Sequence, residues 1–116
     1  MPRKQGDRFV VNLNYKVIIT EEAYSDLRNC ISYLINVKCN QQAAENLMND
    51  YDETVERLKT AAGSLKLCES PNMKARNLRR INFLHHNYFM LYLLEGQEVY
   101  VTNVFHALED AENKLC

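Results

Sequence analysis

No stretch of this sequence approaches the roughly eighteen consecutive apolar residues that a membrane-spanning helix requires, so no membrane partner is expected. The opening MPRKQGDRFVV is basic but has neither an apolar signal core nor a small-residue cleavage site, which argues against export. Cysteine is sparse and scattered. Cys30, Cys39, Cys68 and Cys116 include no CxxC pair, a spacing that suits neither a zinc site nor a dense disulfide framework. Buried or incidental free thiols in a reducing cytoplasm are the expectation, with the terminal Cys116 open to oxidation. Internal repeats and low-complexity segments are also missing. The net charge of −1 leaves no whole-molecule basic field for nucleic acid.

What is present is a chain of 116 residues, 47% hydrophobic and 25% charged, which are the proportions of an ordinary globular protein. That length makes one domain over residues 1–116, with 1–8 expected as a flexible tail, and it suffices to bury about two-thirds of the surface of the unfolded chain. The near-neutral total conceals segregation. Arg3, Lys4, Arg8 and Lys16 against Asp7 leave residues 1–20 at +3. Residues 21–62 are acidic at −4, and Lys66, Lys74, Arg76, Arg79 and Arg80 against Glu69 bring 63–86 to +4. The last thirty residues return to −4, so a local basic patch is possible where a global one is not.

Residues 9–19 alternate, with Phe9, Val11, Leu13, Tyr15, Val17 and Ile19 on one face, and predict a strand. Thr20 is placed as an N-cap, with Glu21 and Glu22 in the first turn, where the helix dipole favours negative charge. Ala23, Leu27, Cys30, Ile31, Leu34 and Ile35 then recur at helical spacing to about Val37. Asn40 caps a second helix with the stripe Ala44, Leu47, Met48, Tyr51, Val55, Leu58 and Ala62, stopped by Gly63. The short KCN connection makes the two helices an antiparallel hairpin.

Residues 64–76, with Pro71 among them, read as an irregular connection. Three strands follow, LRRINFL (78–84), NYFMLYLLE (87–95) and EVYVTNVFH (98–106), with turns at 85–87 and 95–97. The middle one is apolar on both faces, the mark of a central strand covered twice. Its second cover must come from neighbouring side chains, the tail or a partner. ALEDAENKL can add a short C-terminal helix. The fold class is α+β: an N-terminal strand, a two-helix hairpin, then a three-stranded antiparallel meander in one mostly antiparallel sheet, with the hairpin packed on one face.

In this order, Thr20, Ala23, Asp26 and Leu27 at a helix start, Arg79, the pair Tyr88 and Tyr92, and a strand Val99 to His106 closing on histidine resemble the RelE/ParE toxin superfamily over roughly residues 14–115. The resemblance implies the toxin half of a bacterial type II toxin–antitoxin module, held inactive by a cognate antitoxin, with no cofactor and no metal. Two activities occur in that superfamily. RelE-like members cleave messenger RNA within the ribosome, whereas ParE-like members poison DNA gyrase.

Metal-free RNA cleavage needs a base, a cation for the phosphorane and an acid. In a nuclease reading Arg79, Arg80 and His106 are the catalytic candidates. Alternation sends Arg79 and Arg80 to opposite faces, so only one can enter a given groove. Nuclease-type relatives often carry a further arginine after the first aromatic of the central strand. Phe89 stands there instead and cannot stabilise a phosphorane. The basic cluster of 63–86 reads equally as a solvated strand and loop, as an antitoxin or target contact, or as active-site cations.

His106, at a strand end before a helix start, is expected neutral. The preferred role for its ring is hydrogen-bonding the chain as it turns, ahead of catalysis or target contact. His85 and His86 are read as turn residues, since no further ligands stand at suitable spacing. Tyr88 and Tyr92 are read as core or hydroxyl-tethered residues. The long second helix matches ParE-like members better than the compact nucleases. The sequence therefore points to a ParE-like inhibitor of a protein target such as gyrase. A ribosome-dependent mRNA endoribonuclease is the alternative, and a degenerate, non-toxic binding module the third.

Overall fold

The computed structural model describes residues 14–68 and 70–107. The expected tail at 1–8, the first part of the N-terminal strand and the C-terminal helix after His106 lie outside these residues. Strand β1 spans Lys16–Ile19, helix α1 Glu21–Asn36 and helix α2 Gln41–Ala61, which runs into a 3-10 turn at Ala62–Ser64. A five-residue helix α3, Pro71–Ala75, precedes strands β2 (Arg79–Asn82), β3 (Tyr88–Glu95) and β4 (Glu98–His106).

Both helices of the hairpin begin where capping chemistry places them. The Asn40 side chain accepts from the Ala43 N–H at 3.0 Å. Thr20 does two things at once: its hydroxyl oxygen accepts from the Ala23 N–H at 3.3 Å and its O–H donates to the Val101 carbonyl at 2.8 Å. One residue thus ends β1, starts α1 and ties that junction to β4. Two turns of helix further, Asp26 Oδ2 accepts from the Val104 N–H at 3.0 Å and from Asn103 Nδ2 at 3.3 Å. β4 needs this help. The register between β3 and β4 skips Thr102, and β1 pairs with β4 only as far as Val101. Beyond that point the border of β4 would present unpaired backbone N–H groups, and α1 supplies the acceptor.

The sheet order is β1–β4–β3–β2, with β2–β3 and β3–β4 antiparallel and β1 parallel to β4. The sheet is therefore mixed, which corrects the expected mostly antiparallel layer. The cause is the hairpin. Two antiparallel helices return the chain to the start of β1, where the Tyr15 N–H donates to the Lys59 carbonyl at 2.7 Å. β2 then begins at the same end of the sheet as β1. After two reversals β4 runs in the direction of β1 and pairs beside it.

One face of the sheet packs on the hairpin. Ala23 and Leu27 from α1 and Leu47, Tyr51 and Leu58 from α2 meet Ile81, Met90, Tyr92, Val99, Val101 and Val104. The α2 stripe differs from expectation at four positions. Asp50 and Thr54 are buried with Leu47 and Leu58, Val55 is only partly buried, and Met48 is 39% exposed. The opposite face carries a smaller cluster of Met73, Leu78, Phe89, Leu91 and Phe105, with Cys68 and Leu93 against it. Side chains of adjoining strands and of the segment before β2 thus give β3 its second cover.

That segment is more ordered than its sequence suggests. Pro71 opens α3 with the fixed φ and missing N–H that suit a first turn. Asn77 at φ 61° turns the chain into β2, and Leu67 forms an isolated antiparallel bridge with Arg79. Gly63 is approached closely by the Tyr15 hydroxyl, so a Cβ there would push that ring aside. Tyr92 fixes the same corner from inside the core, its hydroxyl donating to the Ala62 carbonyl at 2.7 Å. Burial pushes that phenol up to about 12, with the Arg79 charge opposing the shift.

Candidate functional site

The two arginines do lie on opposite faces, and each has an intramolecular partner. Arg79 sits on the hairpin side in register with Tyr92, and its Nη1 donates to the Leu65 carbonyl. It thereby fastens the chain after α2 to β2. Arg80 lies across the other face with its guanidinium carbon 3.8 Å from the centre of the Phe89 ring. Its Nε donates to Asn82 Oδ1 at 2.9 Å. Phe89, which cannot replace a phosphorane-binding cation, is instead the platform on which the Arg80 guanidinium rests.

His106 ends β4, in register with Tyr88. The two rings meet edge to face, with centroids 4.9 Å apart and planes at 84°. Tyr88 in turn packs beside Phe83 at 5.9 Å. Arg79 is opposite Tyr92 and His106 opposite Tyr88, four residues along β3, which is about 13 Å of strand. Arg80 points to the face away from His106. The three candidates therefore do not converge on one reacting atom. An open hollow of about 300 Å³ at this end of the sheet has Arg80 and Asn82 on one side and Tyr88 with the 84–87 turn on the other.

The structure also assembles a group that the sequence does not reveal. Asp50, midway along α2 and 1% exposed, reaches the turn between β2 and β3. Its Oδ1 accepts from the Leu84 N–H at 3.2 Å; its Oδ2 accepts from the His85 N–H at 2.9 Å and from His86 Nδ1 at 2.7 Å. Burial by itself would raise this carboxyl. The hydrogen bonds from His86, His85 and Leu84 outweigh it and hold Asp50 below its usual 3.8. The carboxylate form of Asp50 is thus the favoured one, with His86 Nδ1 at hydrogen-bonding distance from it. One turn along α2, Glu53 Oε1 lies 3.2 Å from His85 Nε2. The available signal was an acid three residues after Leu47 and four before Thr54, on the buried face of α2. The histidines read as turn residues are turn residues, but anchored ones.

Cys68 is half-buried in the second-face cluster, where burial raises its thiol above the ordinary 9.0 despite the opposing Arg80 charge. That makes it a poor nucleophile. Among the described residues, no helix is long and apolar enough to cross a membrane.

The family of the ParE toxin of the type II toxin–antitoxin system, parDE, matches residues 17–111. A solved structure described as the chromosomal ParDE TA system from P. aeruginosa is similar in fold, with a TM-score of 0.65 at 17% identity, covering 79% of this chain and 95% of that one. No curated protein matches the chain by sequence. The residues that carry the resemblance hold the fold's joints: Thr20 caps α1 and ties it to β4, Ala23 and Leu27 are buried in the core, and Asp26 satisfies the bulged border of β4. With the match running from the middle of β1 past the end of β4, the chain belongs to the ParE toxin family of type II toxin–antitoxin systems.

Proposed function

We propose that the chain arrests growth by binding a protein target, of which DNA gyrase is the leading candidate, and that it does not cleave RNA. The observation that carries this reading is the separation of the three catalytic candidates named from the sequence: Arg79 on the Leu65 carbonyl, Arg80 stacked on Phe89, and His106 about 13 Å of strand from Arg79 on β3's register. General acid–base catalysis requires groups within hydrogen-bonding reach of the same substrate atoms, and this arrangement offers no such convergence. Membership of the family implies a cognate antitoxin as the neutralising partner. The charge distribution is compatible with a protein target, since the basic segment 63–86 lies between acidic ones and provides no continuous track for a phosphate backbone.

The test is biochemical. Purified chain is mixed with gyrase, ATP and supercoiled plasmid, and protein-linked cleaved DNA is measured with and without antitoxin. Accumulation of linked DNA that the antitoxin suppresses supports the proposal. Unaltered gyrase, together with cleavage of mRNA on programmed ribosomes, supports the endoribonuclease and removes the proposal.

A further inference from the structure

α2 and the 84–87 turn bring together three potential metal ligands from two elements distant in sequence. Asp50, Glu53 and His85 each offer one ligand atom, and these atoms all lie within 4.8 Å of one another. His85 Nε2 and Glu53 Oε1 are already 3.2 Å apart. Two ligands of one tetrahedral zinc ion, each with a bond of about 2.0–2.1 Å, are separated by about 3.3–3.4 Å. This pair therefore needs almost no movement to share an ion.

Asp50 supplies the fixed member. A carboxylate has about four acceptor positions, and the two backbone N–H groups and His86 occupy three of them. The His86 contact also holds the carboxylate's orientation, as outer partners of metal ligands do. Among the described residues, neither Asp50 nor Glu53 has an ion pair with lysine or arginine; the ring nitrogens at their carboxylates are those of His86 and His85. Arg57, one turn beyond Glu53, donates to the Asn82 carbonyl at 3.0 Å instead. A buried carboxylate and a second, exposed carboxylate thus border a hollow of about 380 Å³ whose other walls are Asn46, Asn49 and the two histidines.

We propose that Asp50, Glu53 and His85 bind a divalent transition metal ion of the zinc class, with water completing the coordination, and that the ion clamps the 84–87 turn to α2. Two carboxylate oxygens and one imidazole nitrogen are donors of the kind zinc accepts, and the imidazole selects against magnesium and calcium. The clamp acts on the wall of the neighbouring hollow that holds Arg80 and Tyr88. It does not depend on the identity of the toxin's target.

The test uses the full chain after chelator treatment and dialysis. Thermal unfolding is followed with zinc, with magnesium and with neither, and cobalt is added in a parallel sample as a spectroscopic probe. Glu53→Gln and His85→Gln change side chains that are 57% and 64% exposed, so both variants should fold. The expected result is one zinc equivalent bound and a midpoint raised by roughly 10 °C at a hundredfold excess over Kd, with no response to magnesium. Cobalt should give a d–d band free of thiolate charge transfer. Each variant should weaken zinc binding by at least about tenfold. A midpoint unmoved by zinc, a shift retained in both variants, or thiolate absorption with cobalt overturns the proposal and leaves a surface contact between His85 and Glu53.

Discussion

The two faces of this sheet are covered by very different means. The hairpin side is packed by two long helices whose apolar residues recur with helical period and whose starts are fixed by Thr20 and Asn40. The other side is covered by five buried side chains, one of which, Met73, comes from a stretch with no useful periodicity, and another, Leu78, from the turn into β2. A periodic face can be recognised before its partner is known. A face closed by a five-residue helix and a positive-φ asparagine cannot, because each residue there acts alone.

The sharpest way to break this comparison is to remove equal volumes from each side. Leu58→Ala empties a fully buried position between α2 and the sheet and should cost about 4 kcal/mol, because two regular elements cannot close the void. Met73→Ala should cost about 2 kcal/mol, since the short segment around it can settle inward. Urea unfolding measures both. Equal losses would mean that the segment 65–78 is as rigid a wall as the hairpin.

Asp50 joins the hairpin side to the β2–β3 turn, and it should rank next. Asp50→Ala leaves two backbone N–H groups and the His86 ring without their acceptor and should destabilise by about 3 kcal/mol. The folded protein holds this carboxyl below 3.8, so its contribution is fully present above that value and is lost as pH falls through the lower, folded one. The stability gap between the native chain and Asp50→Asn should therefore be constant from neutral pH to about 4 and narrow in stronger acid. A gap that widens on acidification contradicts the assignment.

Tyr92→Phe removes one buried hydroxyl from the Ala62 carbonyl and should cost about 1 kcal/mol. The folded phenol is raised from 10.0 to about 12, so its contribution is present below pH 10 and lost as pH rises through that interval. The phenylalanine variant should lose less stability there than the native chain. The smallest effect expected is at Arg80. Arg80→Lys weakens an exposed stack on Phe89 and should change stability by only about 0.5 kcal/mol.

Much of the architecture was legible because period and capping are local properties. The alternation of 98–106, the doubly apolar run of β3 and both helix caps each lie within a few residues of sequence. The direction of β1 relative to β4 was not legible in the same way, since a period of two says which face is buried and nothing about the neighbour. It follows instead from where α2 ends. Asp50 was hidden for a related reason: an acid on an apolar stripe shows its purpose only when the turn at 84–86 arrives from thirty-four residues away.

The candidate site divides along the same line. That Arg79 and Arg80 face opposite ways is a matter of alternation. Their partners, the Leu65 carbonyl and the Phe89 ring, belong to segments that folding alone brings near. The meeting of Tyr88 and His106 depends on strand register, which no single segment encodes.

The central claim is that this toxin acts without cutting RNA. Mapping of mRNA 5′ ends in bacteria arrested by the chain, induced without antitoxin, tests it most directly. The account predicts growth arrest with no new ends inside ribosome-bound codons. New ends at those positions, appearing before growth slows and abolished by His106→Ala in a folded variant, would contradict it.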